Sequence, residues 1–143
     1  MKYFVIASFL ISSLMSCSDN SNQNENCRFL LDINVYERVD LNLPSNSELQ
    51  FAGNSVYIPA VGNGGIIVAN TGADFYAWDA TDPNHIPSSC SVLSNSGLNA
   101  TCGCDDKNEY SLVTGQALND PTLICSLRNY RVEVNGNILI VSN

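Results

Sequence analysis

The sequence predicts an all-β, antiparallel domain, and three observations lead to that prediction. Apolar residues recur at every second position along residues 29–36 and 39–43, which is the period of a half-exposed strand. Asn135-Gly136 lies between two further alternating runs, and both residues tolerate the positive φ of a type I′ hairpin turn. No segment of the chain has the 3.6-residue apolar period of an amphipathic helix.

Short runs bounded by glycine, proline or asparagine extend the prediction along the chain. Runs 66–69 and 75–79 are separated by an Asn-Thr-Gly-Ala turn and predict a hairpin. Residues 45–48 are polar and predict a turn, residues 82–90 contain two prolines and predict a loop, and residues 91–98 have no period and are predicted to be irregular. The remaining predicted strands are 56–58, 99–101, 130–134 and 138–141, with a hairpin-like stretch at 109–118.

The first residues predict export and attachment to a membrane. A basic start and an apolar run too short to span a bilayer have the proportions of a signal peptide. The run ends in a small residue followed by Cys17, which resembles a bacterial lipoprotein box. That resemblance implies cleavage after residue 16 and lipid attachment to Cys17. The alternative is an ordinary cleaved signal that leaves Cys17 as a spare thiol.

Residues 18–26 contain no apolar side chain, so we expect them to form a disordered tether behind the lipidated cysteine. Residues 27–143 have the size of one domain. The predicted product is therefore a single domain on the bacterial cell envelope, held to a membrane by its lipid anchor. Its remaining partners would be an unidentified protein or glycan of the envelope.

The charge of the chain argues against nucleic-acid binding. The formal net charge is −8 at pH 7, and no stretch of basic residues interrupts the acidic surface. Such a surface repels phosphate backbones and anionic headgroups. We therefore expect no nucleic-acid partner.

Cysteines are the residues of greatest chemical interest. Of six cysteines, lipidation of Cys17 leaves five, an odd number for an oxidising compartment. Cys102-Gly103-Cys104 follows a strand-like run, and two cysteines so close together either hold a soft metal ion or form disulfides. Cys27 and Cys125 could pair by joining the first strand to the segment after Pro121. Cys102 would then be the odd thiol.

From about residue 64 to residue 142 the chain resembles the Rieske iron–sulfur domain. Members of that family often have a strand with an aromatic-x-Ala-x-Asp pattern, to which residues 76–81 are similar, and a final hairpin like residues 132–141. Their second cluster loop reads Cys-Pro-Cys-His and precedes an aromatic residue and a Thr-Gly turn. Here residues 102–105, Tyr110 and Thr114-Gly115 take those places. The resemblance implies a small antiparallel β-sandwich or barrel with two hairpin loop tips.

The ligand positions of the family are mostly changed in this sequence. Each cluster loop of the family supplies one cysteine and one histidine, so that one iron has two thiolates and the other two imidazoles. The corresponding residues here are Asp82 and Asn84 in the first loop, with His85 one place late, and Cys102 and Asp105 in the second. Hard oxygen ligands do not suit a [2Fe–2S] cluster. The resemblance thus implies the fold without its usual cofactor.

The resemblance also implies a disulfide between the loop tips. Some family members join an additional cysteine of the first loop to the middle cysteine of the second, and Cys90 and Cys104 occupy comparable places. Pairing of Cys90 with Cys102 stays open. A bridge closing a loop of this size would stabilise the domain by roughly 3 kcal/mol in the chain-entropy model.

These observations favour a binding or structural module over an enzyme. His85 is the only histidine, and the chain has no Gly-x-Ser-x-Gly elbow or phosphate-binding glycine motif. A zinc, calcium or magnesium site at Asp82, His85, Asp105 and Asp106 is one alternative, although such acids are more often solvated, and we expect no cofactor. The alternative function is electron transfer through a [2Fe–2S] cluster.

Overall fold

The structure is a computed structural model that describes residues 27–143. The predicted signal peptide, Cys17 and the tether lie outside these residues. Within the described part, no helix is long and apolar enough to cross a membrane. The domain is nearly all-β and antiparallel, as predicted, with one short 3₁₀ helix at Pro44–Gln50.

Nine strands within residues 27–143 form two antiparallel sheets. The larger sheet has the order β1-β9-β8-β4-β3-β2, and the smaller sheet has the order β5-β6-β7. Local hairpins account for most of the pairing, because β3 pairs with β4 and β8 with β9 along their lengths. The strands are β1 Tyr36–Asp40, β2 Asn54–Ile58, β3 Ile66–Asn70, β4 Phe75–Asp79, β5 Leu93–Ser96, β6 Asn99–Cys102, β7 Glu109–Ser111, β8 Asn129–Asn135 and β9 Ile138–Ser142.

Strand β3 separates two hydrophobic cores, which explains its uninterrupted apolar sequence. Successive side chains of a strand point to opposite faces. Ile66 and Val68 face a core formed with β1, β8, β9 and the 3₁₀ helix, whereas Ile67 and Ala69 face a second core. The second core contains Trp78 and side chains of the small sheet. The small sheet and its loops are therefore anchored on the back of the β3–β4 hairpin.

Three local predictions were wrong. Residues 29–35 are not a strand, because β9 ends at Ser142 opposite Tyr36 and leaves the earlier residues without a strand to pair with. The segment is instead bound by side chains: Asn63 Oδ1 accepts from Leu31 N at 2.8 Å, and Arg128 forms an ion pair with Asp32. Residues 45–48 lie in the 3₁₀ helix, and 91–98 contain β5.

The last hairpin is present, but its turn differs from the type I′ turn that was expected. Asn135 pairs with Ile138, so the two turn residues are Gly136 and Asn137. Only Gly136 has a positive φ, of 62°. A glycine with positive φ at the first turn position is typical of a type II′ turn, which also suits the twist of a hairpin.

Candidate functional site: the two loop tips

The candidate site lies where two loops meet beside the small sheet. The first loop, residues 80–92, runs from β4 to β5, and the second loop, residues 103–108, joins β6 to β7. Each loop is closed by backbone hydrogen bonds, from Asp82 N to Ser91 O at 2.9 Å and from Cys102 N to Asn108 O at 2.8 Å. A Cβ on Gly103 would lie 2.6 Å from the Cys90 carbonyl oxygen. Only glycine allows this close approach of the tips.

Two disulfides are present in the described domain. Cys90–Cys104 joins the two tips, and Cys27–Cys125 joins the start of the domain to the segment before β8. These are the pairs that the sequence and the resemblance suggested, and the Cys90–Cys102 alternative is not formed. Among the described residues Cys102 is the free cysteine, and it is buried.

Asp82 is fully buried and is the centre of a hydrogen-bond network between the two loops. Its Oδ1 accepts from the Tyr110 hydroxyl at 2.5 Å and from the Asn84 backbone N–H at 2.8 Å. Its Oδ2 accepts from Asn108 Nδ2 at 2.9 Å. A carboxylate out of water needs several such donors. The protein supplies them from both loops and from β7.

Asn84 extends this network to the chain that precedes β8. Its Nδ2 donates to the Tyr110 hydroxyl at 2.8 Å and to the Cys125 carbonyl at 2.7 Å. Its Oδ1 accepts from the Cys125 backbone N–H at 3.1 Å. Three of the four hydrogen-bonding capacities of the amide are thereby used within the protein. Asn84 thus holds the first loop against residues adjoining the second disulfide.

The free thiol of Cys102 lies beside the same network. Its Sγ is 3.8 Å from the Cys90 carbonyl oxygen. Burial, with the Asp82 carboxylate as a further cause, raises the pKa of Cys102 to about 11. Burial and the hydrogen bond to Asp82 also raise the pKa of Tyr110 above its ordinary value. Both groups are therefore held in their neutral forms at ordinary pH.

His85 lies on the outer side of the tips, beside a shallow cleft of about 410 Å³. Its Nδ1 is 2.8 Å from the Ile86 carbonyl, to which it donates, and 3.9 Å from Cys104 Sγ. The cleft is lined by His85, Cys90, Gly103, Cys104, Asp105 and Asp106. Two overlapping sets of potential ligand atoms occur here, one of His85, Cys90 and Cys104 and one of Cys102, Cys104 and Asp106, each within 4.8 Å.

The structure divides the predicted site residues into two groups. Asp82, Asn84 and Cys102 meet in the interior, whereas His85 and Asp105 line the outer cleft. Sequence reasoning missed Asn108 and used Tyr110 only as an aromatic landmark, although its hydroxyl joins Asp82 to Asn84. The need for these donors follows from the burial of Asp82, which the structure shows and the sequence does not indicate.

Comparisons with known proteins find the fold and little more. The sequence matches no known protein family and no curated protein. A chain of the complex of reduced oxygenase and oxidized ferredoxin in carbazole 1,9a-dioxygenase superposes with a TM-score of 0.52 at 23% identity, over 76% of this chain and 93% of that one. The domain has a Rieske-like fold.

Two other solved structures are similar at lower scores. The ferredoxin of carbazole 1,9a-dioxygenase from Nocardioides aromaticivorans IC177 has a TM-score of 0.46 at 18% identity, over 76% of this chain and 94% of its own. A nitrite reductase small subunit from Mycobacterium tuberculosis has a TM-score of 0.44 at 18% identity, over 78% and 97%. Function therefore has to be argued from the site.

Proposed function

We propose that this protein is a lipid-anchored protein of the bacterial cell envelope whose Rieske-like domain works as a binding or structural module without an iron–sulfur cluster. The observation that carries the proposal is the environment of Asp82. This residue stands where the resemblance puts the first cysteine ligand, and protein donors already satisfy both of its carboxylate oxygens.

The remaining positions also do not fit a [2Fe–2S] cluster. Asn84, at the place of the first histidine, uses its side-chain amide in hydrogen bonds to Tyr110 and to the Cys125 backbone. Asp105, at the place of the second histidine, is exposed in the outer cleft. Of these four positions Cys102 alone offers a soft ligand, and a single thiolate does not hold a [2Fe–2S] cluster. The site as a whole therefore does not support electron transfer through a [2Fe–2S] cluster.

The loop tips are the surface we propose for a partner. They are joined by a disulfide and a buried network, so a partner would meet a largely preorganised surface and would not have to order it. Ile86, at the first tip, is 68% exposed. Rigidly held loops are where binding function most often lies. The partner we infer is a protein or glycan of the envelope.

The test of a cluster-free domain is iron analysis of the full chain. The chain would be expressed with iron–sulfur assembly factors, exported, and purified in mild detergent under anaerobic conditions. We expect less than a tenth of an iron per chain, no visible charge-transfer bands, and one titratable thiol in the unfolded domain, from Cys102.

The competing function is electron transfer, to which the retained Cys102 and the fold similarity lend support. It requires close to two irons per chain with visible bands that bleach on reduction. That result would overturn the proposal, because it would mean that ligands other than Asp82 and Asn84 complete a cluster. A Cys102→Ser variant is the matched control, since any cluster held through Cys102 would lose its bands.

The membrane anchor is tested separately. Phase partitioning of the full chain and of Cys17→Ala would be compared in the same cells. We expect the native chain in the detergent phase and the variant in the aqueous phase, because lipid chains give the attachment. A variant that stays with the detergent, or native protein that lacks lipid by mass spectrometry, would contradict the anchor.

A further inference from the structure

The Cys90–Cys104 disulfide and His85 form a cluster of potential metal ligands at the surface of the tips. One ring nitrogen of His85 and the sulfur atoms of Cys90 and Cys104 all lie within 4.8 Å of one another. These residues line the open cleft of about 410 Å³. The set shares His85 with the ligand positions that the resemblance implies, whereas Asp82, Asn84, Cys102 and Asp105 contribute nothing to it.

We propose that reduction of this disulfide converts the tips into a binding site for a thiophilic divalent cation such as Zn²⁺, held by His85, Cys90 and Cys104. A dithiol reductant breaks the S–S bond, becomes a disulfide itself and leaves two protein thiols. The cation then binds both sulfurs as thiolates, releasing two protons, and takes a neutral imidazole nitrogen. The inference stands apart from the proposed function, which concerns the oxidised domain.

The spacing of the ligands suits such a cation. Zinc binds thiolate at about 2.3 Å and imidazole at about 2.0–2.1 Å in a tetrahedron, which places neighbouring ligand atoms roughly 3.5–4 Å apart. Cys104 Sγ and His85 Nδ1 are already 3.9 Å apart. Once the bond is broken, the two sulfurs have to separate. Nδ1 has to give up its hydrogen bond to the Ile86 carbonyl, with the ring proton then on Nε2. Water or Asp106, which lines the same cleft, would supply the fourth ligand.

The surroundings of the sulfurs also favour the reduced, metal-bound form. Ser88 Oγ lies 3.2 Å from Cys90 Sγ and 4.0 Å from Cys104 Sγ, so its hydroxyl can donate to either thiolate. Donors of this kind stabilise and orient metal ligands. Asp105 and Asp106 on the cleft wall add negative charge that attracts a cation. Cys90 is exposed, so a reductant can reach the bond.

The test uses Co²⁺ as a spectroscopic probe for zinc on the full chain in detergent. The chain is reduced anaerobically until mass spectrometry shows that the tip disulfide is open and Cys27–Cys125 is intact, and the reductant is then removed. Trp78, the single tryptophan and a buried residue, reports by its fluorescence that the fold persists. We expect one cobalt per chain with thiolate-to-cobalt bands and visible d–d bands, displaced by Zn²⁺, and none for the oxidised chain.

Matched variants assign the ligands. His85→Ala should weaken cobalt binding by at least about tenfold, the loss typical of a damaged metal site. The double variant Cys90→Ala, Cys104→Ala should show no bands, whereas Cys102→Ser should bind as the native chain does. The proposal is overturned if the reduced chain gives no bands, if selective reduction abolishes the native Trp78 signal, or if the oxidised chain binds equally well. It is likewise overturned if Cys102→Ser removes binding while His85→Ala does not.

Discussion

Two buried aspartates, each hydrogen-bonded to a tyrosine, lie three residues apart in sequence. Asp79 is the last residue of β4, and Asp82 follows in the first loop. In the first, Asp79 Oδ2 accepts from the Tyr130 hydroxyl at 2.7 Å and from the Asn63 backbone and side chain at 2.9 Å each. In the second, Asp82 accepts from Tyr110, Asn84 and Asn108. Both acids are completely inaccessible to solvent.

The comparison shows that this fold uses a buried acid as a way of fixing a loop. Asp79 fixes the turn before β3 to the large sheet, where the resemblance implies no cofactor. Asp82 does the same for the two loop tips. The second pair differs in its neighbours, which include the Cys102 thiol and the Cys90–Cys104 bridge. A metal is therefore not needed to explain why Asp82 is buried.

The largest expected effect comes from removing each tyrosine hydroxyl. The Tyr110 hydroxyl makes two hydrogen bonds, one of them to a carboxylate, whereas the Tyr130 hydroxyl makes one bond to a carboxylate. We expect Tyr110→Phe to lower the free energy of unfolding by about 2–4 kcal/mol and Tyr130→Phe by about 1.5–3 kcal/mol. Urea unfolding followed by Trp78 fluorescence measures both. A smaller loss for Tyr110→Phe would contradict the network.

The thiol beside Asp82 should be very slow to react. A pKa of about 11 in place of 9.0 lowers the thiolate fraction near pH 8 by about a hundredfold, and burial lowers access further. We expect Ellman's reagent to modify Cys102 at least about a hundred times more slowly in the native chain than in urea. Cys102→Ser is the control for other thiols. Rapid modification of the native chain would mean that the tip opens readily.

Alkaline pH should destabilise the domain through both tyrosines. Burial and a hydrogen bond to aspartate raise the pKa of Tyr110 and of Tyr130, so the unfolded chain releases protons above its ordinary tyrosine pKa of 10.0 while the folded chain retains them. Stability is therefore unaffected below that pH and falls above it, by about 1.4 kcal/mol per pH unit for each tyrosine.

The measurement is urea unfolding between pH 8 and pH 11 in a Cys102→Ser background, which removes thiol ionisation and exchange. Each Tyr→Phe variant should lose about half of the slope. A slope that is the same in all three chains would show that neither hydroxyl is the cause.

The smallest effect concerns Thr81, which lies between the two acids. Its Oγ1 is buried and has no hydrogen-bond partner among the described residues. Replacing an unsatisfied hydroxyl by a methyl group of the same shape is neutral or favourable. Thr81→Val should therefore raise the free energy of unfolding by between 0 and about 1.5 kcal/mol. Thr71→Val is the matched control, because Thr71 Oγ1 bonds Asp74, and it should lose about 1 kcal/mol. A loss at Thr81 as large as that at Thr71 would point to a partner for its hydroxyl.

The sequence predicted best the elements that are formed by residues close together in the chain. The β3–β4 and β8–β9 hairpins join runs separated by a few turn residues. A continuous apolar run predicted β3, and alternating runs around Asn135-Gly136 predicted β8 and β9. The same period failed at residues 29–35, because a strand also needs a partner and β9 ends before that segment. β5 was missed because its exposed face is polar and its apolar contribution is one buried residue, Leu93.

The candidate site was harder to predict, since its contacts join distant residues. Asp82 meets Tyr110 and Asn108 across 28 and 26 residues, and no local pattern indicates such a pair. The resemblance placed Asp82 and Asn84 near a cluster position without saying what would satisfy them. The odd number of cysteines did indicate one thiol outside the disulfides, and that thiol is Cys102.

The proposal of a cluster-free domain depends on hydrogen bonds that hold the two loops together alongside the Cys90–Cys104 disulfide. A double-mutant cycle of Asp82→Ala and Tyr110→Phe on chelator-treated, iron-free chain tests it most directly, with unfolding followed by Trp78 fluorescence. We expect a coupling energy of about 1–3 kcal/mol between the two residues, with a folded, cooperative native chain. A coupling near zero, or a native chain that unfolds once iron is removed, would contradict it.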